Sequence, residues 1–336
     1  MLIATHVKEL QSKVGEEVSV QGFVQTLRVQ SKIIFLILRD VTGVVQNIIE
    51  ISNPEVFETA KNLSIESVVR ITGTVKEAAQ APGGCEIGVL AITVLSASAP
   101  ELPIPVIVKG NDEESEAPVR FDHRWVDLRK PEKTRIFKVW TAFEKGFRKF
   151  WDENDFIQIY TPSFMSTPSE TGAEVFEVNY FDRKAYLAQS PQFYKQMGIA
   201  AGFERVFMTG PVFRAELSFT SRHLTEFTGW DFEVGFIESH HDIMDMEEGM
   251  LVEGMQAVKD AFPELDITVP SRPFPRIKMV EAKKILAGLG VASGEEHDLS
   301  PEEERAIADH VKAEMGHEFV FITDYHKSKS AFYHMR

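Results

Sequence analysis

Cysteine is almost absent. Cys85 is the only one in 336 residues, so no disulfide can close within the chain and no Cys/His spacing of zinc-binding type exists. Long apolar runs are missing too. None approaches the roughly 20 residues that a membrane-spanning helix needs. The first residues, MLIATHVKELQSKVGEE, have no apolar core followed by a small-residue cleavage site, so they do not read as a secretory signal. These absences lead to the expectation of a cytoplasmic protein with no membrane partner. Internal repeats and low-complexity segments are also lacking. So is an excess of basic charge: 36 Lys and Arg stand against 51 Asp and Glu, for a net charge of −15. That balance argues at first against a nucleic-acid partner. Its distribution softens the objection. Residues 1–110 carry nine basic and eleven acidic side chains, and the remainder 27 and 40. The N-terminal part is near neutral, which leaves room for a local basic groove.

What is present is an ordinary globular chain. Apolar residues make up 43%, and the length allows two domains. Residues 15–100 fall into strand-like runs: GEEVSVQGFVQTLRVQ, KIIFLILRDVTGVVQNIIE, ESVVRITGTVKEA and CEIGVLAITVLSAS, with residues 40–43 as a turn signal. Residues 56–63 predict a short helix. About five strands with one inserted helix predict a small closed barrel of OB type over residues 1–100. Residues 98–118, SAPELPIPVIVKGNDEESEAP, carry four prolines and an acidic cluster and predict an extended, unpacked connection, and a linker or hinge segment is expected over 101–132. A second domain is expected over 133–336. There Ile136, Phe137, Trp140, Phe143, Phe147, Phe150 and Trp151 recur at helical spacing, which predicts a helix over 133–154 with an aromatic core face. Strand-like runs follow at 156–160, 175–178, 185–188, 205–212 and 230–236, and a second long helix is expected over 239–262. The predicted fold class is α+β.

The segment GPVFRAELSFTSRHLTEFTGWDFEVGF, residues 210–236, carries the chemistry. Two apolar arms flank a polar, hydroxyl-rich loop. Period-two alternation places Arg214 and Glu216 on one face of the first arm. Arg222 and His223 lie at the far end of the loop, Phe227 opens the second arm, and Asp231 and Glu233 share its other end. Arginine grips phosphate bidentately, and a flat ring stacks on a base. A hairpin gathering these groups suits a nucleoside triphosphate. For a single Arg–Glu pair, a surface ion pair is the plainer reading; for the whole set in this order, it is not.

Here the chain resembles the class II aminoacyl-tRNA synthetases. FRAE, RHLTEF and the D.E pair follow that class's second motif in its aspartyl/asparaginyl form. The resemblance implies that Arg214 contacts the α-phosphate and the attacking carboxylate, and that Glu216 contacts adenine and helps place the acceptor end. It implies that Arg222 and His223, followed by Leu224, hold the γ-phosphate end of ATP, that Phe227 stacks on adenine, and that residues 217–221 touch the acceptor stem. AYLAQSPQFYKQ, residues 185–196, resembles the family's substrate-positioning segment. Ser190, Gln192 and Lys195 match its aspartate site. Lys195 would supply the cation that an aspartate side chain needs, and Asp231 would receive the substrate ammonium. STPSETGAEVF, residues 166–176, resembles the loop that closes over the amino acid, with Glu170 as its acidic member.

FIQIYTPSF at 156–164 resembles the first motif, whose proline, here Pro162, implies a dimer interface. RFDHRWVDLRKPE at 120–132 resembles the interdomain segment. Both imply a homodimer. The barrel resembles the family's anticodon-binding domain. Phe35 matches the ring that stacks on an anticodon base, Gln46 the amide that reads it, and Arg28 a further RNA contact. Taken alone, a phenylalanine and a glutamine in a barrel are an ordinary core feature. Gln25 and Pro82 fall where stricter relatives resemble Trp and Lys, which favours an enzyme that accepts both tRNA(Asp) and tRNA(Asn).

The resemblance implies L-aspartate, tRNA, ATP and Mg²⁺ as ligands. FYHMR at 332–336 resembles a point well before the family's C-terminus. The third motif and the acidic Mg²⁺ ligands would lie beyond it, so no metal ligand is expected within these residues and poor ATP binding is expected of the chain alone. Two other functions compete: an asparaginyl-tRNA synthetase, disfavoured by Lys195, and a non-catalytic tRNA-binding paralogue, disfavoured by intact Arg214, Lys195, Asp231 and Glu170.

Overall fold

The structure is a computed structural model. It describes residues 4–107, 114–170, 174–217, 223–291, 293–330 and Tyr333. The chain divides into two compact units, Met1–Thr134 and Arg135–Arg336.

In the first unit, β1 (Glu17–Val29), β2 (Ile33–Arg39), β3 (Val44–Glu50), β4 (Val68–Glu77) and β5 (Cys85–Ser96) close a barrel in the order β1-β2-β3-β5-β4. β1 pairs antiparallel with β4, and β3 pairs parallel with β5. The run IIFLILR of β2 shows why a barrel forms. Its alternation buries Ile34, Leu36 and Leu38 and turns Ile33, Phe35 and Ile37 outward. Val20, Val24, Ile49, Val69, Ile71 and Ile87 fill the interior from the other strands. The inserted helix α1 spans Pro54–Lys61, two residues earlier than the apolar pattern suggests. Asn53 caps it through the Val56 N–H, and Pro54 sits where a missing N–H costs nothing. The turn into β5 places Gly83 and Gly84 in succession at φ +74, a conformation side chains resist.

Within 98–118, where residues 108–113 lie outside the described residues, the part around Ile104 is not the unpacked connection its prolines suggest. Leu102, Ile104 and Val106 recur at period two. Ile104 and Val106 are buried, and they form a small core with Val126. Val126 lies on α3 (Arg124–Asp127), which follows α2 (Ala117–Asp122). Prolines hold such a segment extended without keeping it from packing.

α4 (Pro131–Glu153) leads into the second unit, and its aromatic stripe splits. Phe143, Phe147, Phe150 and Trp151 enter a core with Phe156, Phe207, Trp230 and Met250, and Trp151 stacks on Phe207 at 4.1 Å. Ile136, Phe137 and Trp140 stay 47%, 44% and 58% exposed, which corrects the expectation of one continuous core face. The physical reason is the partner. α6 (His240–Ala261) covers the later part of α4, where a side chain at Gly146 would collide with the Glu253 carbonyl.

The aromatic core carries a sheet in the order β11-β10-β6: β6 (Ile157–Gln158) runs parallel to β10 (Arg205–Phe213), and β10 antiparallel to β11 (Glu226–Val234). A small sheet of β7 (Phe164–Met165), β9 (Arg183–Leu187) and β8 (Glu177–Tyr180) lies beside α5 (Gln192–Ala200) in sequence. β12 (Arg276–Lys278), α7 (Met279–Gly288), α8 (Pro301–Met315) and β13 (Phe321–Thr323) enclose a separate core of Ile277, Ala282, Leu286, Ile307 and Val311. Strands 156–160, 175–178, 185–188 and 230–236 are thus found shorter or shifted.

Candidate active site and nucleic-acid face

The β10–β11 ladder opposes Met208 with Asp231, Val206 with Glu233, and Gly210 with Gly229. Trp230, Phe232 and Val234 turn to the aromatic core, so Phe227, Gly229, Asp231 and Glu233 face the other way. α5 packs closely on β10, where a Cβ at Gly198 would stand 3.2 Å from Val206. This brings Lys195, only 5% exposed, over the two carboxylates. Its ammonium contacts Asp231 Oδ1, lies 3.2 Å from Glu233 Oε2, and donates to the Phe232 carbonyl at 3.2 Å. A buried cation persists only with such partners.

Gln192, Ser190 and Glu170 join this centre through hydrogen bonds. Gln192 Nε2 donates to Glu233 Oε2 at 3.3 Å, and its backbone N–H donates to Ser190 Oγ at 3.2 Å. Ser190 Oγ in turn donates to Glu170 Oε1 at 2.5 Å. Arg214 and Glu216 do not sit on a strand face: β10 ends at Phe213. The Arg214 N–H still reaches the Thr225 carbonyl at 3.0 Å, but the Ala215 N–H turns to the Glu174 carbonyl, also at 3.0 Å. The chain leaves the ladder because another backbone segment takes its next hydrogen bond. The Arg214 guanidinium lies 5.5 Å from the Phe227 ring centre. Glu216 and His223 face each other at 3.7 Å. Leu224 is exposed. Arg222 and the loop residues 218–221 lie outside the described residues.

Two contacts escaped the sequence reading. Glu233, read only as a member of the hairpin, shares Lys195 with Asp231, and its period-two spacing from Asp231 was the available signal. Tyr333 donates its hydroxyl to Glu170 Oε2 at 2.8 Å. Burial, then that bond to a carboxylate, pushes its phenol up to about 12. No local pattern announces a contact 163 residues long. Among the described residues, no group of three or more His, Cys, Asp or Glu side chains is arranged to hold a metal ion.

On the barrel, β1 and β2 oppose Arg28 with Phe35, and the guanidinium lies 4.6 Å from the ring centre. Gln46, opposite Ile37, donates to Glu86 Oε2 at 2.9 Å. Gln25 sits at the irregularity between Val24 and Thr26 and accepts from Arg39 at 3.4 Å. Glu66, fully buried, anchors Arg39 at 2.8 Å and Arg129 at 3.1 Å. Arg28, Phe35 and Gln46 thus share the outer face of β1–β3, and Pro82 lies exposed in the turn before β5. An aromatic ring, a guanidinium and an oriented amide form a surface that can stack on a base and read its edge.

Comparisons with known proteins give the family. Residues 116–336 match the model of class II tRNA synthetases (D, K and N), and residues 18–95 match that of the OB-fold nucleic-acid-binding domain. The chain is 38% identical to the aspartate–tRNA(Asp/Asn) ligase of Aeropyrum pernix, over 99% of this chain and 77% of that protein. It is 39% identical to the ligase of the same name from Thermus thermophilus, over 97% of this chain and 76% of that one. Among solved structures, the asparaginyl-tRNA synthetase of Pyrococcus horikoshii with asparaginyl-adenylate matches at 33% identity and TM-score 0.89, over 99% of this chain and 77% of that one. The barrel, the hairpin and the matches together place the chain in the class II aminoacyl-tRNA synthetases, within the group for aspartate, lysine and asparagine.

Proposed function

We propose that the chain is an aspartate–tRNA ligase that serves both tRNA(Asp) and tRNA(Asn). Lys195 carries this reading. Its buried ammonium, already held between carboxylates, is the cation that a substrate side-chain carboxylate requires. Asp231 then turns to the substrate ammonium, and Glu170 adds negative charge on the same side. In the first step an oxygen of the aspartate α-carboxylate attacks the α-phosphorus of ATP and pyrophosphate leaves. Arg214 stabilises the charge that builds at phosphorus. Phe227 stacks on adenine, and Glu216 with His223 brackets the nucleotide. In the second step a terminal ribose hydroxyl of tRNA takes the aspartyl group and AMP leaves. ATP suits these side chains. Magnesium is the family's companion ion, but the described residues supply no ligand set for it.

The relatives' names support dual tRNA use, as do Gln25 and Pro82, which stand where stricter relatives resemble Trp and Lys. Exposed Ile136, Phe137 and Trp140 support a homodimer that covers them. An asparaginyl-tRNA synthetase is the second reading, favoured by the Pyrococcus horikoshii match. Amino-acid-dependent ATP–pyrophosphate exchange separates the two. Exchange driven by aspartate supports the proposal, and exchange driven by asparagine alone sinks it. Charging of purified tRNA(Asp) and tRNA(Asn) then tests dual use.

A further inference from the structure

Gln189 is fully buried, just beyond β9, and none of the roles above uses it. Its side-chain oxygen accepts the Ser169 N–H at 3.1 Å and the Glu170 N–H at 3.2 Å. Its amide nitrogen donates to the Glu174 carbonyl at 3.3 Å. Its own backbone carbonyl accepts from Arg214 Nε at 3.4 Å. One side chain therefore binds the backbone at 169–170 and at 174. A carboxamide offers acceptor and donor sites on one uncharged group, and this place uses both kinds. Glutamate keeps the acceptors and loses the donor. Methionine, of similar length, loses both.

Glu170 depends on this arrangement. Its N–H is held by Gln189, while its carboxylate receives Ser190 and Tyr333. We propose that Gln189 is a positioning residue for amino-acid binding: it fixes the backbone of Glu170, and so the carboxylate, at the start of the hydrogen-bond chain that runs through Ser190 and Gln192 to Glu233, the partner of Lys195. This rests on the reading of Glu170 and Lys195 as the aspartate site. Gln189 touches no substrate. It acts through Glu170 and, by its carbonyl, beside Arg214.

The test compares wild type, Gln189→Met and Gln189→Glu as full chains. Hydrogen exchange reads the Ser169 and Glu170 amides, and calorimetry reads aspartate and ATP affinity. Gln189→Met should speed exchange at both amides and weaken aspartate about tenfold, with ATP changed less than about twofold. Gln189→Glu should retain protection at both amides and recover most of the aspartate affinity. On a Glu170→Ala background, Gln189→Met should leave aspartate affinity unchanged, which a merely structural role would not do. Unaltered exchange in Gln189→Met, or an equal aspartate loss with and without Glu170, overturns the proposal. If Gln189→Met does not fold, Gln189→Glu decides: protection kept supports the staple, and protection lost overturns it. A wild-type chain that binds no aspartate overturns the underlying site reading instead, and the exchange data still judge the staple.

Discussion

β2 and β11 are both regularly paired strands, yet they spend their two faces differently. β2 buries Ile34, Leu36 and Leu38 completely and leaves Ile33, Phe35 and Ile37 half-exposed. β11 buries no residue fully along Glu226–Val234. The barrel closes on itself, so every inward side chain finds the opposite wall. The hairpin gives one face to an aromatic core and the other to charged groups around Lys195. Among the described residues β11 pairs on one side only. Burial is thus concentrated where the sheet closes, and charge where it stays open.

Core truncations should break this contrast most strongly. Trp151→Ala removes a fully buried ring and should cost about 3–5 kcal/mol, while Leu36→Ala should cost about 2–5 kcal/mol. Native-state exchange locates each loss: the first should expose the Phe207 amide and spare Ile71, and the second the reverse. Loss at both amides in either variant would mean that the two units share one cooperative core. Next in size, Lys195→Met leaves Asp231 and Glu233 facing each other without their cation. Aspartate affinity should fall at least about a hundredfold, and the barrel should melt as before. Calorimetry checks the first outcome and circular dichroism the second.

Phe35→Ala sharpens the contrast from the barrel's outer face. Loss of one stacking platform should weaken single-stranded RNA by about tenfold with little change in melting temperature, read by fluorescence anisotropy. The smallest effect concerns Glu303. Burial alone would raise its pKa, but hydrogen bonds from Ser293, the Ser300 N–H and Lys283 take it from 4.5 down to about 2. The unfolded chain then binds the proton more readily, so this stabilisation is present above pH 4.5 and fades as pH falls towards 2. Urea midpoints measured across that window should decline less steeply in Glu303→Gln than in wild type.

Much of the fold was legible because it rests on local periodicity. The alternation in IIFLILR, the Asn53–Pro54 helix start and the hairpin arms all act within a few residues. Failures came where a distant partner decides. The stripe on α4 looks uniform until α6 is placed, which shows why Trp140 is exposed and Trp151 is not. Prolines 103 and 105 announced an extended segment, yet gave no sign that Ile104 would meet Val126. Arg214 lies off the strand expected for it, because the Glu174 carbonyl takes the next backbone hydrogen bond.

The sequence by itself determined the two-part organisation, the barrel, the hairpin and the identity of the charged groups. These follow from residue type and short-range spacing. Tertiary structure alone decided that Glu233 shares Lys195 with Asp231, that Tyr333 reaches Glu170, and that Gln189 ties residues 169–170 to 174. Each is a contact between segments far apart in the chain. Such contacts depend on how elements pack, which no local pattern of residues encodes.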